Sequence, residues 1–489
     1  MKIFRPGDPA TPVNAKIIRP EQEAAIVRMM DEETHSILLA DAMGAGKTVR
    51  AAEWGIRLSF ERVLIIGVKD TYAAWSDRIE AQSDGAIKLR RLDSTKAGRI
   101  AFADFLAGSA GWFFVGSQWL TAQDFAHVKS EGEVESNRIH LKTYAKMKAL
   151  DAIIFDEVHV VSNRKSVGLR TVKTLKTDWK LAMSGTWYRN DFAGAWSVTR
   201  WLWPDLIDGS FIRWADEWCA REELYLPNGQ STMKVTGEKN PGTYIQTLPC
   251  YIREEAVEEA PDPEVFMVDL TPVQREQYNA LEADMVVWMG QHGTEDRAPL
   301  VADLPIVLRA RLRTAALAEM SFDANGDIRF DVDAPSSKLW ALRQIVDRPD
   351  WAGERVIIGT DSKRFAKVTV ARMRKAGYDA VEWSGDVSSK ERDEIKRAFI
   401  AGEIHYLVTV IPSFSTGNDG FQVCSKIVTL SASEDNSQNQ QWVARCFRPG
   451  RVGDFQHVIV NAADTYDMGI FHSLNRQSAA QAVTLRVNV

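Results

Sequence analysis

Residues 38–48, Leu38 to Thr48, read LLADAMGAGKT: a short apolar run that breaks into a glycine-bearing loop and ends in Lys-Thr. Gly44 and Gly46 carry no Cβ, so the chain can curl tightly and turn its amide N–H groups toward an anion. Thr48 through Glu53 reads as the first turns of a helix, whose amino end adds free donors and a partial positive charge at the same place. Lys47 supplies a mobile cation for outer phosphates, and the Thr48 hydroxyl can ligate a phosphate-bound Mg2+. Met43, Gly44, Ala45 and Gly46 complete the cradle. Asp41 stands where the general pattern G-x-x-x-x-G-K-[ST] has its first glycine. Alone, the stretch is also compatible with a strand-to-helix turn that ends by chance in Lys-Thr.

The totals bound the possibilities. At 489 residues the chain exceeds one core, and two or three domains are expected. Apolar content of 45% and charged content of 26% allow large buried cores. No apolar run approaches the roughly 20 residues of a membrane span, and MKIFRPGDP lacks the apolar centre of a signal peptide. A cytoplasmic protein of a prokaryote or of a virus in its host is expected, with no membrane partner. Cys219, Cys250, Cys424 and Cys446 show no paired spacing, which argues for small buried thiols rather than a disulfide framework or zinc site. The net charge of −6 is unevenly spread. Residues 250–335 hold roughly 18 acidic against roughly 7 basic side chains, so local grooves, not the global charge, decide phosphate binding.

Residues 1–15 are rich in proline and polar groups. RPEQEAAIVRMM then has helical spacing, with Pro20 at a first-turn position. SILLAD, AAEWGIRLSF, RVLIIGV, YAAWSDRIEAQ, GWFFVGS and DAIIFDE follow as alternating strand-like and helix-like blocks, the mark of a parallel sheet covered on both faces. Residues 200–255 become rich in tryptophan (Trp201, Trp203, Trp214, Trp218) and read as an insertion or protrusion whose tryptophans are core anchors. The acidic REEAVEEAPDPEV reads as a connector, LTPVQREQYNALEADMVVWM and LPIVLRARLRTAALAEM as helices, and NGD at 325–327 as a turn. From Arg355 the alternation resumes through RVIIGT, HYLVTVI, SKIVTLS and FQHVIVN. Two comparable α/β halves result, of which only the first carries a phosphate loop.

Three further constellations carry chemistry. DAIIFDEVHV puts Asp156 and Glu157 at the carboxyl end of an apolar strand, the edge where open α/β sheets bind ligands. Asp156 can hold magnesium; Glu157 can orient and deprotonate water. A solvated acidic turn is the plainer alternative. LAMSGTWYRN brings Ser184, Gly185 and Thr186 to the same edge, where a hydroxyl-bearing turn can couple the site to a neighbouring surface. QQWVARCFRPGR spaces Gln441, Arg445 and Arg448 as one helix face would, presenting two guanidinium groups of the kind that stabilise phosphoryl-transfer charge. A solvated basic helix end is the alternative there.

Together these residues resemble a superfamily 2 helicase-type ATPase of the Snf-two (Swi/Snf remodeller-like) branch, over nearly the whole chain and in order. RPEQ, with Arg19 and Gln22, resembles the adenine-reading Q motif, and DAMGAGKT the branch's DEMGLGKT, which makes Asp41 a supporting feature. VKDTYAAW, with Lys69 and Trp75, is similar to motif Ia, and VGSQ, with Ser117 and Gln118, to motif Ib. DEVHVVSN is similar to DEAHRIKN. SGTWYRN resembles motif III with Trp187 in place of a proline. LRARLRTAA resembles the family's arginine-bearing helix, SSKLWAL the start of the second lobe, WSGDVSSKERDEIKRAF motif IVa, STGNDGF a degenerate motif V in which Asn418 and Asp419 replace Gly-Leu, and QWVARCFRPGR motif VI.

The resemblance implies an α/β fold of two RecA-like parallel-sheet lobes with helical insertions between them. The expected divisions are 1–255 with the Trp-rich insertion, an acidic helical linker at 256–335, and 336–489. It implies ATP and Mg2+ as cofactors, with Lys47, Asp156, Glu157, Arg445 and Arg448 catalytic, Thr48 and Asp156 on the metal, and Arg19, Gln22 and Gln441 beside the nucleotide. Nucleic-acid contacts are carried over to Lys69, Ser117, Gln118, Thr186, Ser384 and Thr416. The expected activity is a DNA-dependent ATPase translocating along double-stranded DNA as a monomer, with replication, repair or recombination proteins as further partners. A strand-separating DNA or RNA helicase and a non-catalytic nucleotide-gated DNA scaffold are the rivals.

Overall fold

The apolar runs SILL, RVLIIG, GWFFVG and LDAIIFD are buried on both faces, which only a sheet covered by helices allows. In the computed structural model, residues 18–485 are described, except 32, 43, 121–124, 129–133, 138–147, 189–191, 208, 226–230, 255–257, 291–296, 302–304, 415–419 and 449. The chain divides into two compact units, Met1–Val257 with Ala479–Val489, and Glu258–Ser478.

In the first unit, strands β1 (Ser36–Leu39), β2 (Arg62–Gly67), β3 (Leu89–Leu92), β4 (Gly111–Gly116), β5 (Leu150–Asp156), β6 (Thr177–Met183) and β7 (Tyr251–Ile252) form one sheet. Its order is β7-β1-β6-β5-β2-β4-β3, and every pairing is parallel. Side chains alternate between two layers: Leu38, Leu64, Ile66, Ile153 and Phe155 enter one core, while Ile37, Leu39, Val63, Ile65 and Ile154 enter the other. Helices α1 (Pro20–Met29), α2 (Lys47–Arg57) and α3 (Tyr72–Gln82) belong to this unit. Arg57 ties α1 to α2, donating to both oxygens of Glu23 at 2.6 and 2.8 Å and to Glu53 at 2.8 Å.

The Trp-rich stretch is not a protrusion over its whole length. Helices α4 (Gly194–Leu202) and α5 (Phe211–Trp218) bury Trp201 and Trp214 in the same core as Leu38, with Trp203 and Trp218 packed partly against it. Tyr244 stands edge-on to Trp214, accepts from its indole at 3.1 Å and donates to Thr199 at 3.0 Å. The tryptophans are core anchors, as their spacing suggests, and one hairpin, Cys219–Tyr225 with Ser231–Glu238, follows them. Within this sheet, β3 and β7 escape the sequence reading. LRRL at 89–92 puts two arginines in an edge strand, and the two residues of β7 are too few to show a period.

In the second unit, β8 (Glu264–Val268), β9 (Val356–Thr360), β10 (Ala380–Trp383), β11 (Tyr406–Val410), β12 (Lys426–Thr429) and β13 (Gln456–Ala462) form a second all-parallel sheet in the order β8-β13-β12-β9-β11-β10. Both sheets fit RecA-like lobes. The expected linker at 256–335 is corrected here, because β8 pairs with β13 from Glu264↔Val458 to Val268↔Ala462 and 258–335 belongs to the second unit. The long helix expected over 270–289 is also shorter. Helix α6 (Pro272–Asp284) starts at a Thr271–Gln274 capping box and stops at Met285, whose φ of 56° is left-handed. Val286–Gly290 then pairs antiparallel with Arg297–Val301. Helix α7 (Pro305–Ala315) carries the arginines, and the NGD turn joins Met320–Phe322 to Ile328–Phe330 as read. All four cysteines are buried, and no disulfide joins any of them. Among the described residues, no helix is long and apolar enough to cross a membrane.

Candidate functional site

Strand β1 ends at Leu39 and helix α2 begins at Lys47, so the phosphate-type loop spans the carboxyl edge of the first sheet. Gly44 and Gly46 have φ of 81° and 89°, the left-handed backbone that turns amides inward. Gly46 is further constrained, since a Cβ there would lie 2.2 Å from Gln22 Nε2. Gln22 and Arg19 both donate to the Ala45 carbonyl, at 3.0 and 2.6 Å, and Gln22 Oε1 accepts from the Arg19 amide at 3.0 Å. The Q-like residues therefore hold the loop itself. Lys47 Nζ rests on the Asp41 and Ala42 carbonyls at 2.9 and 3.2 Å. Burial lowers its pKa, against the pull of Glu157, Asp41 and Asp156. Thr48 is half-buried in the first turn of α2, and Met43 lies outside the described residues.

Asp41 is fully buried. Its Oδ1 accepts from the Glu254 amide at 2.8 Å, and its Oδ2 pairs with Arg50, which also pairs with the Glu254 carboxylate. Burial raises the Asp41 carboxyl, while Arg50 and Lys47 oppose the rise. A side chain anchored in this way explains why no glycine is needed at the loop's first position. Arg50, Arg253 and Glu254 escaped the sequence reading because their contacts join positions far apart in the chain.

Asp156 ends β5, and Glu157 has φ 58° and ψ 53°. Successive strand residues face opposite sides, so this left-handed residue breaks the alternation and lets both carboxylates serve one edge, at a backbone cost on the order of 1 kcal/mol. The Trp75 indole donates to Asp156 Oδ2 at 3.0 Å. Parallel register sets Asp156 beside Met183, so Ser184 follows directly opposite Glu157. Ser184 Oγ donates to Glu157 Oε2 at 3.1 Å, and His159 Nδ1 lies 3.1 Å from both. Burial and the charge of Glu157 raise Asp156 to about 6, with Trp75 and Lys47 opposing. Burial would raise Glu157 too, but the hydrogen bond and charge of His159, then Lys47 and Ser184, outweigh it and bring the carboxyl to about 2.

The expected nucleic-acid residues fall unevenly. Lys69 is exposed on the turn after β2 and Gln118 on the turn after the neighbouring β4, with Ser117 half-buried beside it. A Cβ on Gly116 would lie 3.7 Å from the Lys69 Cβ and 3.1 Å from Gln118 Oε1, so these two turns adjoin. Trp75, read with Lys69, is instead buried against Asp156. Thr186 is 6% exposed and Ser384 fully buried, where its Oγ accepts from the Asp386 amide at 3.2 Å. A strand contact at either side chain does not follow from this geometry. Thr416 lies outside the described residues.

In the second unit, Gln441 is buried on helix α8 (Asn436–Val443). That helix ends before Arg445 and Arg448, so the three do not share a helix face as their spacing suggested. The residue before a proline disfavours helical backbone, and Arg448 precedes Pro449. Both arginines are half-buried in the turn that follows, and Arg448 Nε donates to the Ala444 carbonyl at 2.6 Å. Elsewhere in this unit Lys338 is fully buried, donating to Leu430 and Val460 carbonyls at 2.6 and 3.3 Å and pairing with Asp467 at 2.5 Å.

Among the described residues no group of three or more His, Cys, Asp or Glu could hold a metal by itself. The donors present, the Thr48 hydroxyl and the Asp156 carboxylate, suit a hard cation that keeps waters and phosphate oxygens in its shell.

A family model described as SNF2-related domain matches residues 21–311. A Mus musculus SWI/SNF-related matrix-associated actin-dependent regulator of chromatin, subfamily A member 1, is 24% identical over 311 residues, covering 61% of this chain and 28% of that protein. The Arabidopsis thaliana ISWI chromatin-remodeling complex ATPase CHR11 is 22% identical over 271 residues, covering 52% of this chain and 22% of that protein. The chain thus spans less than a third of the length of either relative. The solved Sulfolobus solfataricus SWI2/SNF2 ATPase core in complex with dsDNA aligns over 98% of this chain and 97% of that one, at 16% identity and a TM-score of 0.41.

Proposed function

The chain belongs to the SNF2-related domain family, and from that membership we propose that it is a DNA-stimulated ATPase that translocates along duplex DNA without separating the strands. One observation carries the hydrolytic part of the proposal: the Lys47 ammonium, at the amino end of α2, shares a sheet edge with Asp156 and Glu157.

The loop amides and Lys47 bind the phosphates, and Lys47 exchanges its two carbonyl partners for phosphate oxygens. Thr48 and Asp156 would hold a magnesium ion, which neutralises phosphate charge when bound. His159 and Ser184 fix one oxygen of Glu157 and so set the plane of its carboxylate. A carboxylate held in this plane can orient the attacking water and take its proton. Arg445 and Arg448 are the proposed cations for the transition-state charge. Of the expected nucleic-acid residues that the structure describes, Lys69 and Gln118 are the exposed ones, and they are the proposed contacts to a phosphate backbone, which position the strand without reading its sequence.

ATP turnover measured with duplex DNA, single-stranded DNA and RNA tests the reading. Stimulation by duplex above the other two is expected, and forked DNA should not be unwound. Robust strand displacement would favour the helicase, and no turnover with any of them the scaffold.

A further inference from the structure

The backbone beside the loop continues past the last strand of the first sheet. Leu38, Ala40 and Ala42 donate to the carbonyls of Cys250, Ile252 and Glu254 at 3.0, 2.7 and 2.9 Å, a ladder that runs from β1 into the loop. Successive residues on such a chain point opposite ways, so Arg253 and Glu254 reach different parts of the site. The Glu254 carboxylate pairs with Arg50 and lies 3.6 Å from Arg19, while its amide holds Asp41. Asp41 and Glu254 together face the two guanidinium groups of Arg50 and Arg19. Arg253 donates to Ala40 at 2.8 Å and to Gly185 at 3.4 Å, the residue next to the Ser184 that orients Glu157.

We propose that Arg253 and Glu254 are positioning residues for nucleotide hydrolysis. Glu254, through Asp41 and Arg50, sets the carbonyls on which Lys47 rests; Arg253 joins the loop's strand to the turn that aims Glu157. One dipeptide thereby holds the phosphate-binding and the water-orienting halves of the site in register. The inference rests on the hydrolytic reading given above, and the two residues predict separate kinetic signatures. Glu254→Gln removes the charge facing Arg50 and Arg19, so KM for ATP should rise about fivefold or more with kcat within about twofold. Arg253→Gln releases the 184–186 turn, so kcat should fall about tenfold with KM within about twofold.

The test combines duplex-stimulated ATP hydrolysis, titration with a fluorescent N-methylanthraniloyl ATP in magnesium, and thermal unfolding midpoints. Arg62→Gln is the control: it removes a buried guanidinium that donates to the Ala149 and Phe105 carbonyls, at the opposite end of β2, and should lower the midpoint without changing KM. The inference is overturned if both variants keep the wild-type KM and kcat, or if Arg62→Gln reproduces the KM change of Glu254→Gln. Should Glu254→Gln not fold, Glu254→Asp keeps the charge on a shorter stem and is expected to move KM in the same direction; an unchanged KM overturns the assignment. If the wild-type protein hydrolyses no ATP with any nucleic acid, the hydrolytic reading and the Arg253 half fall together. The fluorescent nucleotide still judges Glu254: about fivefold weaker binding upholds it, and unchanged binding overturns it.

Discussion

Trp75 donates its indole N–H to Asp156 Oδ2 at 3.0 Å from helix α3, so a residue whose motif suggests contact with nucleic acid braces the proposed magnesium carboxylate instead. Trp75→Phe keeps most of the packing and removes a hydrogen bond to a charged group, about 1.5–3 kcal/mol. The expected loss in kcat/KM for ATP is about tenfold or more. Trp75 also lowers the Asp156 pKa, so the acid side of the pH profile should move upward in this variant. A wild-type profile would remove Trp75 from the site.

The pH dependence has opposite signs at the two carboxylates. Asp156 is raised from 3.8 to about 6, so the folded chain takes up a proton there that the unfolded chain does not; its contribution to stability falls as pH rises through that window. Glu157 is lowered from 4.5 to about 2, so its contribution is present above 4.5 and is lost as pH falls toward 2. Only ionised Asp156 binds a cation well, so KM for Mg-ATP should climb as pH falls below about 6. Kinetics between about pH 5 and about pH 8 measure this; a flat KM would contradict the assignment.

Lys47 and Glu157 should fail differently. Lys47→Ala loses the mobile cation and should weaken nucleotide binding. Glu157→Gln should leave binding within about twofold and lower kcat on the order of 100-fold or more. Equilibrium binding and single-turnover hydrolysis separate the two, and equal loss of binding in both would reject the division of labour.

Arg448→Ala tests the arginine assignment. Turnover stimulated by duplex DNA should fall on the order of 1000-fold with little change in ATP affinity. Normal stimulated turnover would leave Arg448 a structural role, through its bond to the Ala444 carbonyl.

Lys338 and Asp467 form a buried pair in the second unit, 2.5 Å apart. Lys338→Ala strands Asp467 and two carbonyls without their donor and should cost about 3–5 kcal/mol in urea unfolding. A loss under about 1 kcal/mol would mean that water replaces the ammonium.

The placement of the candidate loop and acidic pair at one sheet edge was legible. Lys47, Thr48, Asp156 and Glu157 announce themselves because a glycine loop before a helix and an acidic pair after an apolar strand are contiguous patterns. Both sheets were legible in their long apolar strands for the same reason. What stayed hidden depends on distant partners. Asp41 reads as a branch feature by resemblance, but what its side chain does is hidden until Arg50 and Glu254 surround it. The strand Glu264–Val268 lies in acidic sequence with most of its residues exposed, so its pairing with β13 leaves no hydrophobic signature. Arg445 and Arg448 fit a helical spacing that the backbone abandons at Val443.

The ladder between β1 and the chain at 250–254 also orders events in time. Arg253 and the Ala40 carbonyl it caps are 213 residues apart. At ribosomal rates of 5–20 residues per second, roughly ten to forty seconds separate synthesis of the loop from synthesis of its anchor. Through that interval β1 lacks its outer neighbour and Asp41 lacks the Glu254 amide. The nucleotide loop is thus made early in its unit and finished late, and a nascent chain that has not reached Glu254 carries the loop's sequence without the contacts that shape it.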